Sequence, residues 1–154
     1  MTLEELEARI KVLEDIEAIK KLRATYCYLV DAEKWDELYT HFTEKARLDF
    51  GPAGTYEGRE GLKTFFGGVV AGALSFCMHM VHDPIIEVKG DRATGKWYFE
   101  VPSTAREENR AQWIAGTYEE EYVREKGEWK FDFIRAIFNY ITPYDEGWVK
   151  TPGV

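Results

Sequence analysis

The sequence predicts an α+β fold, with helices in the first part of the chain and antiparallel strands in the second. Helical spacing of apolar residues is confined to the first half, and long segments rich in β-branched and aromatic residues follow residue 74. Gly90-Asp91 and Lys126-Gly127 are good hairpin turns between those segments. A long, bent sheet wrapped around a few helices would enclose a cone-shaped cavity. Because 154 residues suffice for one sizeable core, we expect a single domain over residues 1–154.

The first predicted element is a long helix over residues 2–30, with a break along its length. Thr2 and Glu5 fit a capping box at its start. Apolar residues then recur at spacings of three or four, at Leu6, Ile10, Leu13, Ile16 and Ile19. The first turns are so rich in Glu and Lys that they could project and pack on another subunit, whereas Tyr26 is predicted to be buried. The alternative is an ordinary amphipathic surface helix.

The next part of the chain is predicted to alternate between short elements. A second helix is expected over Trp35–Phe42, and a short strand over Ala46–Phe50. Gly51–Gly54 reads as a turn, and Gly58–Phe66 as a third helix. The glycines at 67, 68 and 72 predict a loose segment after that helix.

Four strands complete the prediction, and they cover Ser75–Val88, Thr94–Val101, Gln112–Arg124 and Trp129–Ile141. The first of them is expected to break at Pro84, since proline cannot donate to a strand ladder. We interpret the acidic run Glu119–Glu121 as a solvated face. The ending, residues 144–154, is predicted to be a tail whose Trp148 covers either a cavity mouth or a subunit contact.

The composition argues against several classes of protein. Hydrophobic residues make up 45% of the chain, and five Trp, nine Tyr and nine Phe can line both a core and a pocket. The formal charge of −8 opposes nucleic-acid binding, because the basic residues form no stripe. No stretch approaches the roughly 20 apolar residues that a membrane helix needs. The N-terminus lacks the apolar segment of a secretory signal, so we expect a soluble, cytoplasmic protein.

The two cysteines, Cys27 and Cys77, predict neither a disulfide framework nor a zinc site of regular spacing. We expect both to be reduced and buried. His79 and His82 would point to opposite faces of one strand, so the pair is a poor set of metal ligands. The prediction is therefore a site without a metal.

Asp31 and His79 are the residues on which the functional prediction depends. A histidine whose second ring nitrogen is held by a carboxylate keeps one tautomer and is a better base near neutral pH. Each residue also has a simpler explanation. A histidine in an apolar strand is more often a core residue, and an aspartate in the position of Asp31 is usually a surface residue at a helix end.

An ordered set of motifs resembles the SnoaL-like members of the nuclear transport factor two-like superfamily. The resemblance covers roughly residues 12–143. The motifs are Asp15-Ile-Glu-Ala-Ile-Lys20, Tyr26 with Asp31, Trp35-Asp36, Tyr56-Glu-Gly58, Met78-His79, Ala93-Thr-Gly95 with Trp97-Tyr98, and Asn139-Tyr140 with Thr142-Pro143. The family implies a cone-shaped α+β barrel, in which helices pack on a strongly curved, mainly antiparallel sheet that encloses a pocket.

Within that family the chain is similar to bile-acid dehydratases, scytalone dehydratase and hexachlorocyclohexane dehydrochlorinase, which are eliminating lyases without a cofactor. Their catalytic histidine falls on His79, and the aspartate that orients it falls on Asp31. The tyrosine of the bile-acid enzymes falls on Tyr26. Other polar residues of the dehydratase sites are replaced, at Phe50, Val101 and Ser103. The resemblance therefore implies the Asp–His dyad and one phenol.

The predicted function is that of a cofactor-independent lyase of the dehydratase type. Neutral His79 would remove an acidified C–H proton, Asp31 would stabilise the imidazolium, and Tyr26 would donate a hydrogen bond to the leaving group or an enolate oxygen. The substrate is expected to be a small hydrophobic steroid, terpenoid, polyketide or aromatic compound. The pocket is expected to be lined by Phe50, Val101, Trp113 and Asn139.

Two other functions stay open. The same pocket could run an isomerisation or a cyclisation, since these reactions also begin with proton abstraction next to a carbonyl. The chain could instead be a non-catalytic binding module, because a fold by itself proves no function. In each case we expect a homo-oligomer. A trimer is favoured, since members of the family are commonly trimers.

Overall fold

A strongly curled, mixed sheet of seven strands forms the body of the protein in the computed structural model, which describes residues 1–152. The strands are β1 Phe42–Asp49, β2 Thr55–Glu57, β3 Leu74–Cys77, β4 Met80–Lys89, β5 Arg92–Ala105, β6 Arg110–Glu125 and β7 Glu128–Pro143. Their spatial order is β2-β1-β7-β6-β5-β3, and β4 also pairs with β5. Every pairing is antiparallel except that of β1 with β7.

The helices pack against this sheet, which confirms the predicted α+β class. They are α1 Leu3–Asp31, α2 Trp35–Tyr39, α3 Gly58–Lys63, α4 Ala71–Ala73 and α5 Gly147–Lys150, with a π-helical segment at Thr64–Val70 and a 3₁₀ turn at Gly51–Ala53. No helix among residues 1–152 is both long enough and apolar enough to cross a membrane.

Helix α1 starts with the predicted capping box. The backbone N–H of Glu5 donates to Thr2 Oγ1 at 3.1 Å, and the backbone N–H of Thr2 donates to Glu5 Oε2 at 2.8 Å. The expected break is absent, because α1 runs unbroken over 29 residues. Its buried residues begin only at Asp15, and the apolar side chains before it are exposed at Leu3, Leu6, Ile10, Val12 and Leu13.

The core lies between the second half of α1 and the concave face of the sheet. Four aromatic rings meet there: Tyr26 contacts Phe42, Phe66 and Phe131 at centroid distances of 6.3, 5.8 and 5.6 Å. All four side chains are at most 2% exposed. Edge-on packing of such rings adds about 0.5–1.5 kcal/mol per pair beyond burial, so this cluster stabilises the packing of the second half of α1 on the sheet.

Two predictions for the middle of the chain were wrong. The second helix ends at Tyr39 rather than at Phe42, because Phe42 is the first residue of β1 and its ring packs at 5.1 Å on Phe131. The glycines at 67, 68 and 72 do not form a loose segment. They lie within helical structure, where the buried side chains of Phe65 and Phe66 hold the π-helical segment on the core.

The buried carboxylate of Asp15 links α1 to the hairpin of β6 and β7. Asp15 accepts hydrogen bonds from Arg124 Nη1 at 2.5 Å, Arg124 Nη2 at 3.2 Å and Trp129 Nε1 at 3.0 Å. Burial by itself would raise the pKa of Asp15. The bonds and the charge of Arg124 outweigh it and hold that pKa below its ordinary value. Folding therefore favours the ionised form of Asp15.

Replacement of Asp15 by Asn should lower the free energy of unfolding by about 1–3 kcal/mol at neutral pH, because a charged acceptor of three hydrogen bonds is lost. Since the pKa of Asp15 is lowered by folding, its contribution is full above the unfolded value of about 3.9 and disappears as the pH falls through the folded pKa. Urea unfolding at pH 7 and below pH 4 measures both effects. Exposed Glu14→Gln is the matched control, and equal urea midpoints at pH 7 for Asp15→Asn and wild type would refute the prediction.

Candidate active site

Asp31 lies at the last residue of α1, where the chain ends the helix in a Schellman motif. The backbone N–H of Lys34 donates to the carbonyl of Leu29 at 2.9 Å, and that of Glu33 donates to Val30 at 3.0 Å. Glu33 has a φ of +53°, the left-handed conformation that this motif requires. The helix therefore stops directly after Asp31, and the Asp31 side chain turns towards the strands instead of the solvent.

His79 lies where the edge of the sheet is interrupted. Strand β3 ends at Cys77 and β4 begins at Met80, so the break falls at Met78 and His79. The prediction of a break at Pro84 was wrong. Pro84 lies inside β4, which accommodates it by a bulge between His82 and Ile85. The true break has a different cause, because the backbone N–H of His79 donates to the Asp31 carboxylate rather than to a neighbouring strand.

The Asp31 carboxylate holds His79 by both its backbone and its ring. The backbone N–H of His79 lies 2.9 Å from Asp31 Oδ2 and 3.1 Å from Oδ1, and ring Nδ1 lies 2.7 Å from Oδ1. An ionised carboxylate can only accept hydrogen bonds, so Nδ1 is the donor, and in the neutral form of the ring the lone pair is then on Nε2. The thiol of Cys77 is a third donor, with Sγ 3.5 Å from Oδ1.

A mainly apolar cavity of about 210 Å³ lies inside the curl of the sheet, and His79 is part of its wall. Within residues 1–152, the polar side chains of its lining are His79, Gln112 and Tyr118, and the remaining lining consists of aliphatic and aromatic residues. The amide of Gln112 is oriented by a hydrogen bond of 3.3 Å to Ser103 Oγ. The cavity therefore presents a base, an amide and a phenol on an apolar surface.

Phe50 and Val101, two of the four residues expected at the pocket, line this cavity together with His79. Trp113 and Asn139, which were expected there, lie outside its wall. The reason is strand alternation, since Gln112, Ile114 and Phe138 face the cavity and their immediate neighbours face the other side of the sheet. Trp113 lies at 6.3 Å from the ring of Tyr144, and Asn139 is exposed to solvent.

Trp148 and Tyr26 also lie off the cavity wall. Trp148 is 55% exposed and stacks on Tyr140 at 5.1 Å. Tyr26 is buried behind the dyad, with its ring edge-on to His79 at 6.3 Å. Burial raises the pKa of Tyr26 well above its ordinary range, so the phenol keeps its proton.

A buried ion pair behind the cavity wall was missed by the sequence analysis. Glu120 was interpreted as part of a solvated acidic face, but its side chain is fully buried and Oε1 lies 3.3 Å from Arg23 Nε. Arg23 Cζ lies 4.1 Å from the ring centre of Tyr26 and 4.0 Å from that of Tyr118. The alternation of β6 is the signal that could have revealed it, because Tyr118, Glu120 and Tyr122 share one face.

The charges of this pair are strongly coupled. Burial opposes the charge of Arg23, but Glu120 and the neighbouring tyrosines raise the Arg23 pKa above its ordinary value. Burial raises the pKa of Glu120, and Arg23 together with the hydroxyl of Tyr122 acts against that rise. None of the three guanidinium nitrogens of Arg23 has a hydrogen-bond acceptor among residues 1–152, so Glu120 compensates the charge of Arg23 without a well-aligned hydrogen bond.

Cys77 differs from the expected buried cysteine. Cys27 is buried, whereas Cys77 is only half-buried, and both are free thiols. Burial and the charge of Asp31 raise the pKa of Cys77 to about 12. The sulfur of Cys77, an Asp31 oxygen and a ring nitrogen of His79 all lie within 4.8 Å of one another, so these residues could also hold a metal ion.

The model of the SnoaL-like domain family matches residues 11–135, and the chain therefore belongs to this family. Three solved structures of the hexachlorocyclohexane dehydrochlorinase LinA are similar to it. One named LinA is 28% identical, with a TM-score of 0.81 over 85% of this chain and 90% of that chain. The type 3 enzyme from Novosphingobium barchaimii LL02 is 28% identical, with a TM-score of 0.79 over 85% and 90%. The fold is thus that of the nuclear transport factor two-like superfamily.

A putative scytalone dehydratase from Novosphingobium aromaticivorans shares the fold at 22% identity. Its TM-score is 0.78, over 86% of this chain and 89% of that chain. This likeness concerns the fold alone. The family match and the LinA structures support catalysis of the lyase or isomerase type in the broad sense.

Glu120→Gln should destabilise the protein by about 3–5 kcal/mol, because Arg23 would then be a buried charge without a counter-ion. Urea unfolding at neutral pH measures the loss. Glu119→Gln, on the adjacent and more exposed position, is the matched control and should change stability by less than about 0.5 kcal/mol. A loss below about 1 kcal/mol for Glu120→Gln would show that the ion pair is not a buried structural unit.

Proposed function

We propose that this protein is a cofactor-independent lyase that eliminates water from a small hydrophobic substrate, with His79 as its general base. The observation that carries the proposal is the 2.7 Å contact between His79 Nδ1 and Asp31 Oδ1 at the wall of an apolar cavity. The contact leaves Nε2 as the ring nitrogen available to a molecule in that cavity. It also provides a negative charge next to the imidazolium that proton abstraction creates.

The reaction would proceed by removal of a proton next to an electron-withdrawing group. Nε2 of His79 takes the proton, the electron pair forms a carbon–carbon double bond, and the hydroxyl on the adjacent carbon departs as water after it receives a proton. His79 returns to its neutral state by giving that proton to the leaving group. The apolar wall excludes solvent, so the attraction between Asp31 and the imidazolium is stronger than in water.

A second polar group must face the negative charge that develops on the substrate, and we assign this role to Tyr118. Tyr118 lines the cavity, whereas Tyr26 lies behind His79 and off the wall. The positive charge of Arg23, 4.0 Å from the ring centre of Tyr118, favours a phenol that donates strongly. Burial raises the pKa of Tyr118, so the donated proton stays on the enzyme. Tyr26 then serves to support the His79 ring.

The size of the cavity limits the substrate. Its volume of about 210 Å³ lies below the roughly 300–1,000 Å³ of pockets for drug-sized ligands. A compound with one ring and short substituents suits it better than a steroid. LinA, the 28% identical neighbour, is named for hexachlorocyclohexane, which is also a single ring. That compound is a useful probe, with chloride in place of water as the leaving group.

We further propose that the chain assembles into a homotrimer and acts without a nucleic-acid or membrane partner. The first half of α1 supports self-association, because its apolar side chains project from the core and stay exposed in the single chain. Leu3 and Leu13 are 67% and 63% exposed. The formal net charge of −8 opposes contact with phosphate backbones.

His79→Gln and Asp31→Asn should each lower the rate of elimination by about 10²–10⁴, because a general base or its orienting charge is removed. The assay incubates the protein with single-ring β-hydroxy ketones and with hexachlorocyclohexane, and follows the new double bond by absorbance or the release of chloride. His82→Gln is the matched control, since this exposed histidine on the same edge faces Asp83 and Tyr98. Full turnover in His79→Gln would exclude the proposed base.

A product of unchanged mass would instead identify an isomerase or a cyclase. Absence of turnover across the panel, together with tight binding of the same compounds, would identify a binding module. Mass spectrometry of the reaction mixture and calorimetric titration of the wild-type protein separate these outcomes.

Tyr118→Phe should lower the turnover number by about 10²-fold with little change in the Michaelis constant, because the lost hydroxyl acts on charge in the transition state. Tyr26→Phe should have the smaller effect, since Tyr26 lies off the cavity wall. Steady-state kinetics of both variants on one substrate provide the comparison. A larger loss of turnover in Tyr26→Phe than in Tyr118→Phe would show that Tyr26, and not Tyr118, is the hydrogen-bond donor to the substrate.

A further inference from the structure

The catalytic dyad stands between two separate spaces. His79 belongs to the wall of the inner cavity, but Asp31 and Cys77 do not. Asp31 and Cys77 belong instead to an outer groove of about 320 Å³, on the other side of a wall that includes Val70 and Leu74. The rear of the dyad can therefore be reached from outside without passage through the substrate cavity.

The outer groove carries donors that suit a soft cation. Its lining residues include Asp31 and Glu33, which carry carboxylates, Cys77, which carries a thiol, and Met78, which carries a thioether. Cys77 and Asp31 meet at its inner end, and Nδ1 of His79 lies directly beyond them. Two carboxylates make the groove attractive to cations, and the thiol selects thiophilic ones over Mg²⁺ or Ca²⁺.

The spacing of the three inner donors is close to that of a tetrahedral site. With zinc-to-ligand distances of about 2.0–2.3 Å and tetrahedral angles, two donors around one ion lie roughly 3.3–3.8 Å apart. The distance from Cys77 Sγ to Asp31 Oδ1 is already 3.5 Å. The Asp31 Oδ1 to His79 Nδ1 distance of 2.7 Å would have to open by less than 1 Å. Water from the groove would complete the fourth position.

We propose that the outer groove is an inhibitory site for a thiophilic divalent cation such as Zn²⁺ or Cd²⁺, held by Cys77 Sγ, an Asp31 oxygen and His79 Nδ1. On binding, the Cys77 thiol loses its proton to solvent. The ring proton of His79 leaves Nδ1, where the cation takes the lone pair, and a proton occupies Nε2. Nε2, the proposed base, then carries hydrogen and cannot accept a proton from the substrate. The cation therefore inactivates the enzyme from the outer groove, without entering the substrate cavity.

Binding at this site does not depend on the proposed lyase reaction, but inhibition does. Cd²⁺ is the first probe, since a cadmium–thiolate bond gives an ultraviolet charge-transfer band. Titration of the wild-type chain should show this band with one ion per chain. Cys77→Ser should lose it, and Cys27→Ala should keep it, because Cys27 lies in the core. His79→Gln should weaken binding by roughly tenfold or more, as expected when a ligand is removed.

His82→Gln serves as a second control. His82 lies 3.3 Å from Asp83 and 3.9 Å from Glu100, so it could bind cations at the surface, and its loss should leave the band unchanged. Wild-type affinity and band intensity in Cys77→Ser, or equal affinity in His79→Gln, would overturn the site.

A measurement on the unmutated protein guards against variants that fail to fold. Nitrogen-15 NMR of the imidazole rings should show His79 with its proton on Nδ1 before Cd²⁺ is added and on Nε2 afterwards. An unchanged His79 tautomer at saturating Cd²⁺ would overturn the proposal.

The activity assay then separates this proposal from the proposed reaction. Zn²⁺ should inhibit wild-type turnover reversibly, and a chelator should restore it. Each variant is compared with its own metal-free rate. Cd²⁺ binding with a tautomer change but no turnover would leave the cation site intact and reject the lyase reaction. Turnover that Zn²⁺ does not inhibit would reject the inhibitory site alone.

Discussion

The carboxylate of Asp31 is the constraint on which the arrangement of the site depends. It accepts hydrogen bonds from the backbone and ring of His79 and from the thiol of Cys77. Bonds to an ionised acceptor contribute roughly 1.5–3 kcal/mol each, so their loss would lower the stability of the fold as well as disrupt the site. One side chain thereby joins the end of the first helix to the interruption between β3 and β4. The position of His79 and the path of the sheet edge therefore have the same cause.

The second group of charges in the structure is a buried ion pair behind the cavity wall. The pairing of Arg23 with Glu120 inside the core costs desolvation, and a pair of apolar residues would often be at least as stable. The pair is held in place by the rings of Tyr26 and Tyr118 and by the hydroxyl of Tyr122. Within the pair, the guanidinium of Arg23 lies against the ring of Tyr118, whose side chain lines the cavity. In the proposed reaction, the negative charge that develops on the substrate would lie near Tyr118 and Arg23, and Asp31 would face the positive charge of the imidazolium.

The elements that the sequence predicted well depend on neighbours in the chain. The capping box of Thr2 and Glu5 is a local motif, and the turns at Gly90-Asp91 and Lys126-Gly127 lie where two residues reverse a hairpin. The predicted strands ended too early because pairing with a neighbour extends them: β5 reaches Ala105 only in register with β6. Likewise, Phe42 entered a strand rather than a helix because of its distant partner Phe131.

The sequence by itself determined the α+β order of elements, the α1 start, the hairpin turns and the candidate pair Asp31 and His79, because each rests on local pattern or on a family resemblance. Tertiary structure alone decided which face of each strand meets the cavity. As a result, Trp113 and Asn139 lie outside the cavity wall, and Gln112 and Tyr118 are part of it. It also decided that Glu120 is buried against Arg23 and that Asp31 and Cys77 open to a separate groove. The physical reason is that the curl of the sheet and the partners of buried charges are set by contacts between residues far apart in the chain.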